Sequence, residues 1–113
     1  MDLDLTLSAL ADPTRRRAVE VLRKRPRRAG ELAEALELSA AAMSKHLKLL
    51  RDGGIVEEER QDDDQRVRVY RLRKEPFDGL RDWVLEVERF WGGQLDAFKE
   101  HAERTRGAGR KRP

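Results

Sequence analysis

Residues 39–51 constrain the fold of this chain more than any other segment, because one helical register sorts them into two chemically different faces. At about 100° per residue, Met43, Leu47 and Leu50 fall on one side, which is the spacing of a helix that packs on a core. The opposite side holds Ala41, Ser44, Lys45, Lys48 and Arg51. No acidic residue occurs in the segment, so the pattern predicts a helix with one buried face and one cationic face that a DNA groove could accept.

Composition limits the class of protein. The chain has 113 residues, of which 38% are hydrophobic and 42% are charged, so we expect one domain with a small core that a second chain could complete. The formal net charge is only +3, and any argument for nucleic acid must therefore rest on local charge. The absence of cysteine excludes disulfides and thiolate metal ligands. The sequence shows neither a membrane-spanning apolar run nor a secretory signal, which predicts a cytoplasmic protein without membrane contact.

Three further helices are predicted before this segment. The first is short and ends near residue 11, and its leucines share one face that needs a partner: Leu3, Leu7 and Leu10. Asp12 and Pro13 are typical of an N-cap followed by the first helical residue, and they predict a second helix that runs to about Lys24. Residues 29–36 form the third predicted helix, and Ser39 is a suitable N-cap for the fourth.

The period of the pattern changes after the fourth helix. Gly53 and Gly54 are expected to end that helix, since glycine can take the left-handed conformation of a C-cap. Residues 55–61 and 66–72 are short β-branched segments on either side of an acidic turn, which predicts a β-hairpin. The sequence therefore indicates a mainly α fold with a small β-hairpin.

A long helix is predicted from about residue 77 to residue 103, with two apolar stripes. The first stripe comprises Leu80, Val84, Val87, Trp91, Leu95 and Phe98, and the second comprises Trp83, Phe90 and Ala97. One stripe is expected to pack on its own domain and the other on a second copy of the chain, with Gly92 and Gly93 marking a kink or a close helix crossing. Residues 104–113 are basic and are expected to form a disordered tail outside the domain of residues 1–103. The predicted dimer interface comprises Leu3, Leu7, Leu10, Val84, Val87, Trp91, Leu95 and Phe98.

The order of helix, short turn, helix and hairpin is that of a winged helix-turn-helix domain, here with a long C-terminal dimerisation helix. Five segments sharpen this interpretation: LADPTRR at 10–16, ELA at 31–33, SKHLKLL at 44–50, GIV at 54–56 and YRL at 70–72. In this order and with these gaps, they resemble the ArsR family of bacterial transcriptional regulators over roughly residues 5–100. The resemblance implies a homodimeric repressor that binds an inverted repeat in double-stranded DNA.

The chain departs from the metal-sensing members of that family. Those members commonly place a cysteine pair on the third helix, or acidic and histidine ligands along the last helix. Here the third helix has no cysteine, and the last helix has one histidine, His101, with Asp96, Glu100 and Glu103 nearby. We therefore expect a regulator without a metal or other cofactor, since zinc-like metals favour nitrogen and sulfur donors. A metal sensor with nonstandard ligands around His101 is an alternative.

The predicted DNA contacts lie on the fourth helix and the hairpin. Because alanines precede Ser44, direct reading of base edges is expected to rest on Ser44, Lys45 and Lys48, with support from DNA shape. The acidic tip of the hairpin would repel phosphate, so the hairpin is expected to contact DNA by its flanks. The full predicted set is Ser39, Ala41, Ser44, Lys45, His46, Lys48, Arg51, Arg60, Arg66 and Arg68. The cationic face could instead be merely solvated, and His46 could instead be a packed structural histidine.

Nothing in the sequence predicts an enzyme. Two histidines and no cysteine are present, no serine lies beside a base that the sequence reveals, and the glycine pairs form no phosphate-binding loop. The main rival to DNA binding is a winged-helix module that binds another protein through its long C-terminal helix. The identity of an effector is left open by the sequence.

Overall fold

The computed structural model describes residues 2–60 and 66–109, with side chains described up to residue 105. The chain divides into two compact units, residues 1–80 and residues 81–113. The elements are α1 (Leu3–Leu10), α2 (Pro13–Lys24), β1 (Arg27–Arg28), α3 (Ala29–Leu36), α4 (Ala40–Asp52), β2 (Val56–Arg60), β3 (Arg68–Leu72) and α5 (Glu75–Gly109). The predicted fold class, mainly helical with a small antiparallel sheet and a long C-terminal helix, is confirmed.

Side-chain caps fix where α2 and α4 begin. The Asp12 carboxylate accepts hydrogen bonds from the backbone N–H groups of Thr14 at 2.7 Å and Arg15 at 3.1 Å. These bonds, the Arg15 N–H foremost, lower the pKa of Asp12 below its ordinary value because they favour the charged form. The Ser39 hydroxyl accepts from the Ala42 N–H at 3.1 Å. Both predicted N-caps are therefore confirmed, and with them the starts of the two helices.

The turn between α3 and α4 depends on one left-handed residue. Glu37 has φ of 56°, a conformation that glycine usually supplies. The Leu38 N–H donates to the Ala33 carbonyl at 2.8 Å and the Glu37 N–H to the Glu34 carbonyl at 3.2 Å, which is the bonding pattern of a Schellman cap. The chain therefore leaves α3 sharply and enters α4 after only three residues.

The core lies in the unit of residues 1–80, where α2, α3, α4 and the sheet contribute its large side chains. Leu32, Leu50 and Ile55 are completely buried. The predicted inward face of α4 is confirmed, because Met43, Leu47 and Leu50 are buried. Leu22 of α2 and Leu36 of α3 are buried as well. The remaining buried hydrophobic residues are Ala9, Ala18, Ala33, Val56 and Tyr70.

Helix α1 buries two small residues in its own unit, and its leucine face, which the sequence assigns to a dimer interface, is at least partly exposed in the single chain. Thr6 and Ala9 are its buried side chains, whereas Leu7 is 37% exposed and Leu5 is 50% exposed. Leu10 packs partly against the core of its own chain. The small residues face inward because α1 approaches the end of α4 closely at Gly53.

The two glycines after α4 have separate functions. A Cβ atom on Gly53 would lie 2.8 Å from Cβ of Ala9, which is closer than real contacts allow, and 3.1 Å from the Leu5 carbonyl oxygen, which is a tight contact. Gly53 has an ordinary φ of −80°, whereas Gly54 takes the left-handed conformation with φ of 75°. The predicted left-handed glycine is therefore Gly54, while Gly53 permits the close approach of α1 and α4.

The sheet has three strands in the order β1-β3-β2, all antiparallel. The β2–β3 hairpin confirms the prediction, although each strand is shorter than expected, and the predicted acidic turn at 62–65 lies outside the described residues. Strand β1 was not predicted. Its two residues pair with β3, Arg27 opposite Tyr70 and Arg28 opposite Val69. Because β1 consists of two arginines, its strand conformation comes from pairing with β3 rather than from a local pattern.

Helix α5 is longer at both ends than the sequence predicted. It begins at Glu75 rather than at residue 77, continues without interruption through Gly92 and Gly93, and ends at Gly109. The predicted end at residue 103 was therefore wrong, and residues 104–109 are helical rather than a disordered tail, while 110–113 lie outside the described residues. A Cβ atom on either internal glycine would meet nothing within 4 Å, so the glycines mark no close crossing within the described chain.

Both apolar stripes of α5 are largely exposed. In the first stripe Trp91 is 57% and Phe98 is 69% exposed, and in the second Trp83 is 42% and Phe90 is 60% exposed. Phe90 and Trp91 contact each other edge to face, with ring centroids 5.6 Å apart. The expectation that one stripe packs on the chain's own domain and the other on a second copy stays a prediction.

Candidate nucleic-acid interface

Helix α4 has the two faces that its sequence predicts. Met43, Leu47 and Leu50 are buried against the core, and each is at most 3% exposed. This packing fixes the rotation of the helix about its axis, and the opposite side is left to solvent. The exposed residues of that side are Ala41, Ser44, Lys45, Lys48 and Arg51. The structure therefore brings together five of the predicted DNA contacts on one surface, which we call the α4 face.

The cations of the α4 face differ in their partners. Lys48 Nζ lies 2.9 Å from a carboxylate oxygen of Asp52, one turn further along the helix. Arg51 Nη1 lies 2.8 Å from Glu58 Oε2 on β2. Lys45 has no polar partner among the described residues. The Lys48–Asp52 pair is exposed on both sides, and since exposed ion pairs contribute only about 0–1 kcal/mol each, a DNA phosphate could replace Asp52.

The wing, which we define as β2 and β3, extends the cationic surface. Arg68 is exposed on β3 and its Nε lies 3.4 Å from Glu58 Oε1. Arg60 lies directly opposite Arg68 in the ladder, and Arg66 is exposed just before β3. The three predicted wing arginines therefore lie along the flanks of the hairpin, where the sequence expected its DNA contacts.

A cleft of about 250 Å³ separates the α4 face from the wing. Tyr70 and Glu58 line it together with the cations, and the Tyr70 hydroxyl donates to Glu58 Oε2 at 3.0 Å. Burial is the main cause that raises the pKa of Tyr70, and the bond to Glu58 adds to it. The other lining residues are Ser44, Lys45, Leu47, Lys48, Arg51 and Arg68. The phenol therefore remains protonated and can keep donating to Glu58 at neutral pH.

His46 and Ser39, both predicted DNA contacts, have partners within the chain. His46 is half-buried, and its Nδ1 lies 3.4 Å from Arg15 Nη1. Because an arginine can only donate, this contact assigns Nδ1 as the acceptor and places the ring proton on Nε2. The Ser39 hydroxyl caps α4, as described above. These bonds favour the structural interpretation of His46 and give Ser39 a structural task whether or not it contacts DNA.

Two features of the candidate site were not predicted from the sequence. Arg15 joins α1 to α4: its Nε donates to the Ala9 carbonyl at 2.6 Å while its Nη1 reaches His46. Helix C-termini leave carbonyl groups without partners, so this arginine also satisfies the end of α1. Glu58, at the floor of the cleft, was the second feature. Both form contacts between residues that are far apart in sequence, which no local pattern reveals.

The described residues hold no group of three or more histidine, cysteine or acidic side chains placed to bind a metal ion. His101 and its acidic neighbours on α5 are among these residues and form no such group. Within the same part of the chain, no helix is both long and apolar enough to cross a membrane.

Helix α3, a tight turn, helix α4 and an adjacent two-stranded wing define the class of winged helix-turn-helix proteins, in which the second helix of the motif lies in the major groove. Comparison with known proteins narrows this class. The family described as bacterial regulatory protein, arsR family, matches residues 12–58. The HTH-type transcriptional regulator Rv2034 of Mycobacterium tuberculosis is 36% identical over 97 residues, which cover 86% of this chain and 85% of that protein.

Solved structures agree with this comparison. The crystal structure of the ArsR family transcriptional regulator RHA00566 has a TM-score of 0.72 and 33% identity, covering 80% of this chain and 96% of that one. Mb0332 from Mycobacterium bovis, a homodimeric winged helix-turn-helix DNA-binding domain, has a TM-score of 0.58 and 24% identity, with 89% and 82% covered. This chain belongs to the ArsR family of transcriptional regulators. The prediction of a DNA-binding regulator rather than an enzyme agrees with that family.

Proposed function

We propose that this protein is a homodimeric repressor that occupies an inverted-repeat operator and needs no metal cofactor. The observation that carries the proposal is the α4 face, where a buried apolar stripe fixes the orientation of exposed small and basic residues. A helix of this kind fits the major groove, because it has no acidic side chain before Asp52 and no bulky residue near its start.

The contacts divide into two kinds. Ser44 and Lys45 reach base edges, since they lie in the N-terminal half of α4 and have no acidic partner. Lys48, Arg51 and the wing arginines bind phosphate and set the register of the protein on the duplex. Binding therefore releases counterions, and the affinity falls steeply with salt.

Dimerisation through a second copy of the chain accounts for the exposed side chains of α5. Large aromatic and aliphatic residues at helical spacing are more than half exposed at four positions. Such a surface is typical of a protein interface, and the homodimeric state of Mb0332 gives a precedent with the same fold. The two α4 helices of a dimer then meet successive major grooves about 34 Å apart, which predicts half-sites one helical turn apart.

A metal-independent mechanism is supported by the donors in the chain. It has no cysteine and two histidines, of which His46 already pairs with Arg15. Repression then follows from occupancy of the operator in the bacterial cytoplasm, where the chromosome lies. An effector would act through a site other than a thiolate metal centre.

Binding is tested by fluorescence anisotropy with duplexes from the upstream region of the protein's own gene, titrated from low to high salt. Replacing Lys48 or Arg51 by alanine should weaken binding and reduce the log-log salt slope by about one unit each, since both are proposed phosphate contacts. Lys24→Ala, which removes the same charge from α2, is the matched control and should leave the slope unchanged. If both α4 variants had the same salt slope as the Lys24→Ala control, the α4 face would not contact the DNA phosphates.

Three further measurements address the rest of the proposal. Sedimentation should give a dimer at micromolar concentration, and a monomer would contradict the inverted repeat. Transcription from the target promoter in vitro should decrease on adding protein, whereas an increase would identify an activator.

Metal analysis of the dimer should find no bound ion, and a chelator should leave the affinity unchanged; a stoichiometric metal would support the alternative sensor around His101.

A further inference from the structure

A partly buried carboxylate lies at the centre of the cationic cleft. The Glu58 side chain is 17% exposed and belongs to β2. Its Oε2 accepts from Arg51 Nη1 at 2.8 Å and from the Tyr70 hydroxyl at 3.0 Å, and its Oε1 lies 3.4 Å from Arg68 Nε. Donors from α4 and from β3 therefore converge on one carboxylate between them.

The same donors are those that a DNA phosphate would use. A guanidinium binds a carboxylate and a phosphate with similar geometry, so the two anions compete for its N–H groups. Arg51 and Arg68 remain 48% and 51% exposed, and solvent or DNA can reach them from the open side of the cleft. In addition, the negative charge of Glu58 repels any phosphate that approaches the cleft.

We propose that Glu58 is a specificity-determining residue that competes with the DNA backbone for Arg51 and Arg68. Its carboxylate weakens the attraction of the cleft for any duplex. The arginines transfer to phosphate when the remaining contacts of the α4 face fit the operator and hold the backbone in place. Glu58 thereby lowers non-specific binding more than operator binding. This inference rests on the proposed DNA-binding function.

The neighbouring glutamates of β2 provide matched controls. Successive side chains of a strand point to opposite faces, so Glu57 and Glu59 lie on the face of the wing opposite to Glu58. Both form ion pairs with Arg71 of β3. Glu59 therefore has the same charge, strand and type of partner as Glu58, but it does not line the cleft.

The experiment compares Glu58→Gln and Glu59→Gln with the unmodified protein on an operator duplex and on a scrambled duplex of equal length. Glutamine keeps the size of the side chain and one acceptor oxygen but removes the charge. We expect Glu58→Gln to bind the scrambled duplex about fivefold more tightly and to have a salt slope about one unit steeper. Its ratio of operator to scrambled affinity should fall, while Glu59→Gln should stay close to the unmodified protein.

Other results would overturn the inference, either alone or together with the proposed function. If Glu58→Gln binds the scrambled duplex no more tightly than the unmodified protein, or if Glu59→Gln tightens binding equally, the inference is overturned. If the unmodified protein binds the operator but Glu58→Gln changes nothing, the inference fails and the proposed function stands. A protein that binds neither duplex, even at low salt, overturns both.

A second measurement does not depend on the folding of a variant. The guanidinium Nε–H signals of Arg51 and Arg68 can be followed by NMR in the unmodified protein and assigned with Arg51→Lys and Arg68→Lys. Addition of operator should shift both signals as their partner changes from carboxylate to phosphate, while the Arg71 signal stays in place. Unchanged signals for Arg51 and Arg68 would show that neither leaves Glu58.

Discussion

The unit of residues 1–80 and the unit of residues 81–113 use apolar residues in opposite ways. In the first unit Leu32, Leu50 and Ile55 have no measurable exposure, whereas in the second Phe90 and Phe98 are 60% and 69% exposed. Both units have apolar residues at helical spacing, so periodicity alone does not distinguish them. The first unit buries apolar residues in a core of its own, whereas the second presents apolar residues that are largely exposed within the single chain.

The largest effect is expected when a core side chain of the first unit is shortened. Leu50→Ala should lower the free energy of unfolding by about 2–5 kcal/mol, because it removes packed methyl groups and leaves a cavity. Leu49→Ala is the matched control: the adjacent leucine is 48% exposed, and its truncation should change stability by less than about 0.5 kcal/mol. Urea unfolding followed by circular dichroism measures both. Equal losses of unfolding free energy in the two variants would mean that Leu50 is not part of a packed core.

A substitution in α5 separates association from folding. Trp91→Glu should weaken the dimer by about 2 kcal/mol, roughly thirtyfold, because buried tryptophans contribute strongly to interfaces. Affinity for the inverted repeat should fall with it. Gly93→Glu adds the same charge on the other side of the helix, where an added Cβ meets nothing within 4 Å.

Sedimentation and anisotropy should show Gly93→Glu as a dimer that still binds the operator. A Trp91→Glu protein that remains fully dimeric would place the interface elsewhere.

The cap of α4 gives a smaller effect inside the first unit. Ser39→Ala should reduce the free energy of unfolding by about 1 kcal/mol, since the Ala42 N–H loses its acceptor. Ser44→Ala is the same chemical change on the exposed face of the same helix and should have little effect on stability. If both variants have the same melting temperature as the unmodified protein, the cap does not stabilise α4.

The smallest effect concerns pH and Asp12. Hydrogen bonds, chiefly from the Arg15 N–H, lower the pKa of this carboxyl in the folded state. Its stabilisation is therefore complete above the ordinary carboxyl pKa of about 3.9 and is lost as the pH falls through the lower, folded value. Asp12→Asn keeps a capping side chain but removes the charge, so its melting temperature should lie slightly below that of the unmodified protein at pH 7.

That difference should disappear in strong acid. Asp12→Ala, which removes both cap and charge, should remain less stable throughout the pH range. A constant difference for Asp12→Asn would show that the charge of Asp12 does not contribute.

The sequence predicted α2, α3 and α4 closely because local chemistry determines them. Pro13 and the Asp12 and Ser39 caps mark where two helices start, and the apolar spacing of α4 gives its buried face. The α4 face of the candidate site followed from the same spacing. These features require only neighbouring residues, so a single sequence contains them.

Other features depend on contacts that the sequence does not display. Strand β1 exists through pairing with β3, and Glu37 takes a conformation that its residue type disfavours. Thr6 and Ala9 are the buried residues of α1 because small side chains allow a close approach, which the spacing of its leucines does not reveal. Likewise, the run of glutamates in β2 gave no indication that Glu58 would meet two arginines and a tyrosine.

The narrow contact at Gly53 also has a mechanical consequence. With no space for one more carbon atom between α1 and the last turn of α4, neither helix can slide toward the other, and Arg15 tethers the end of α1 to the middle of α4. Closely packed interiors deform little, so we expect a tilt of α1 to move α4 as well, and with it the α4 face that we propose binds DNA. A change in the angle of α1 is therefore expected to change the angle at which the basic side chains of the α4 face are presented.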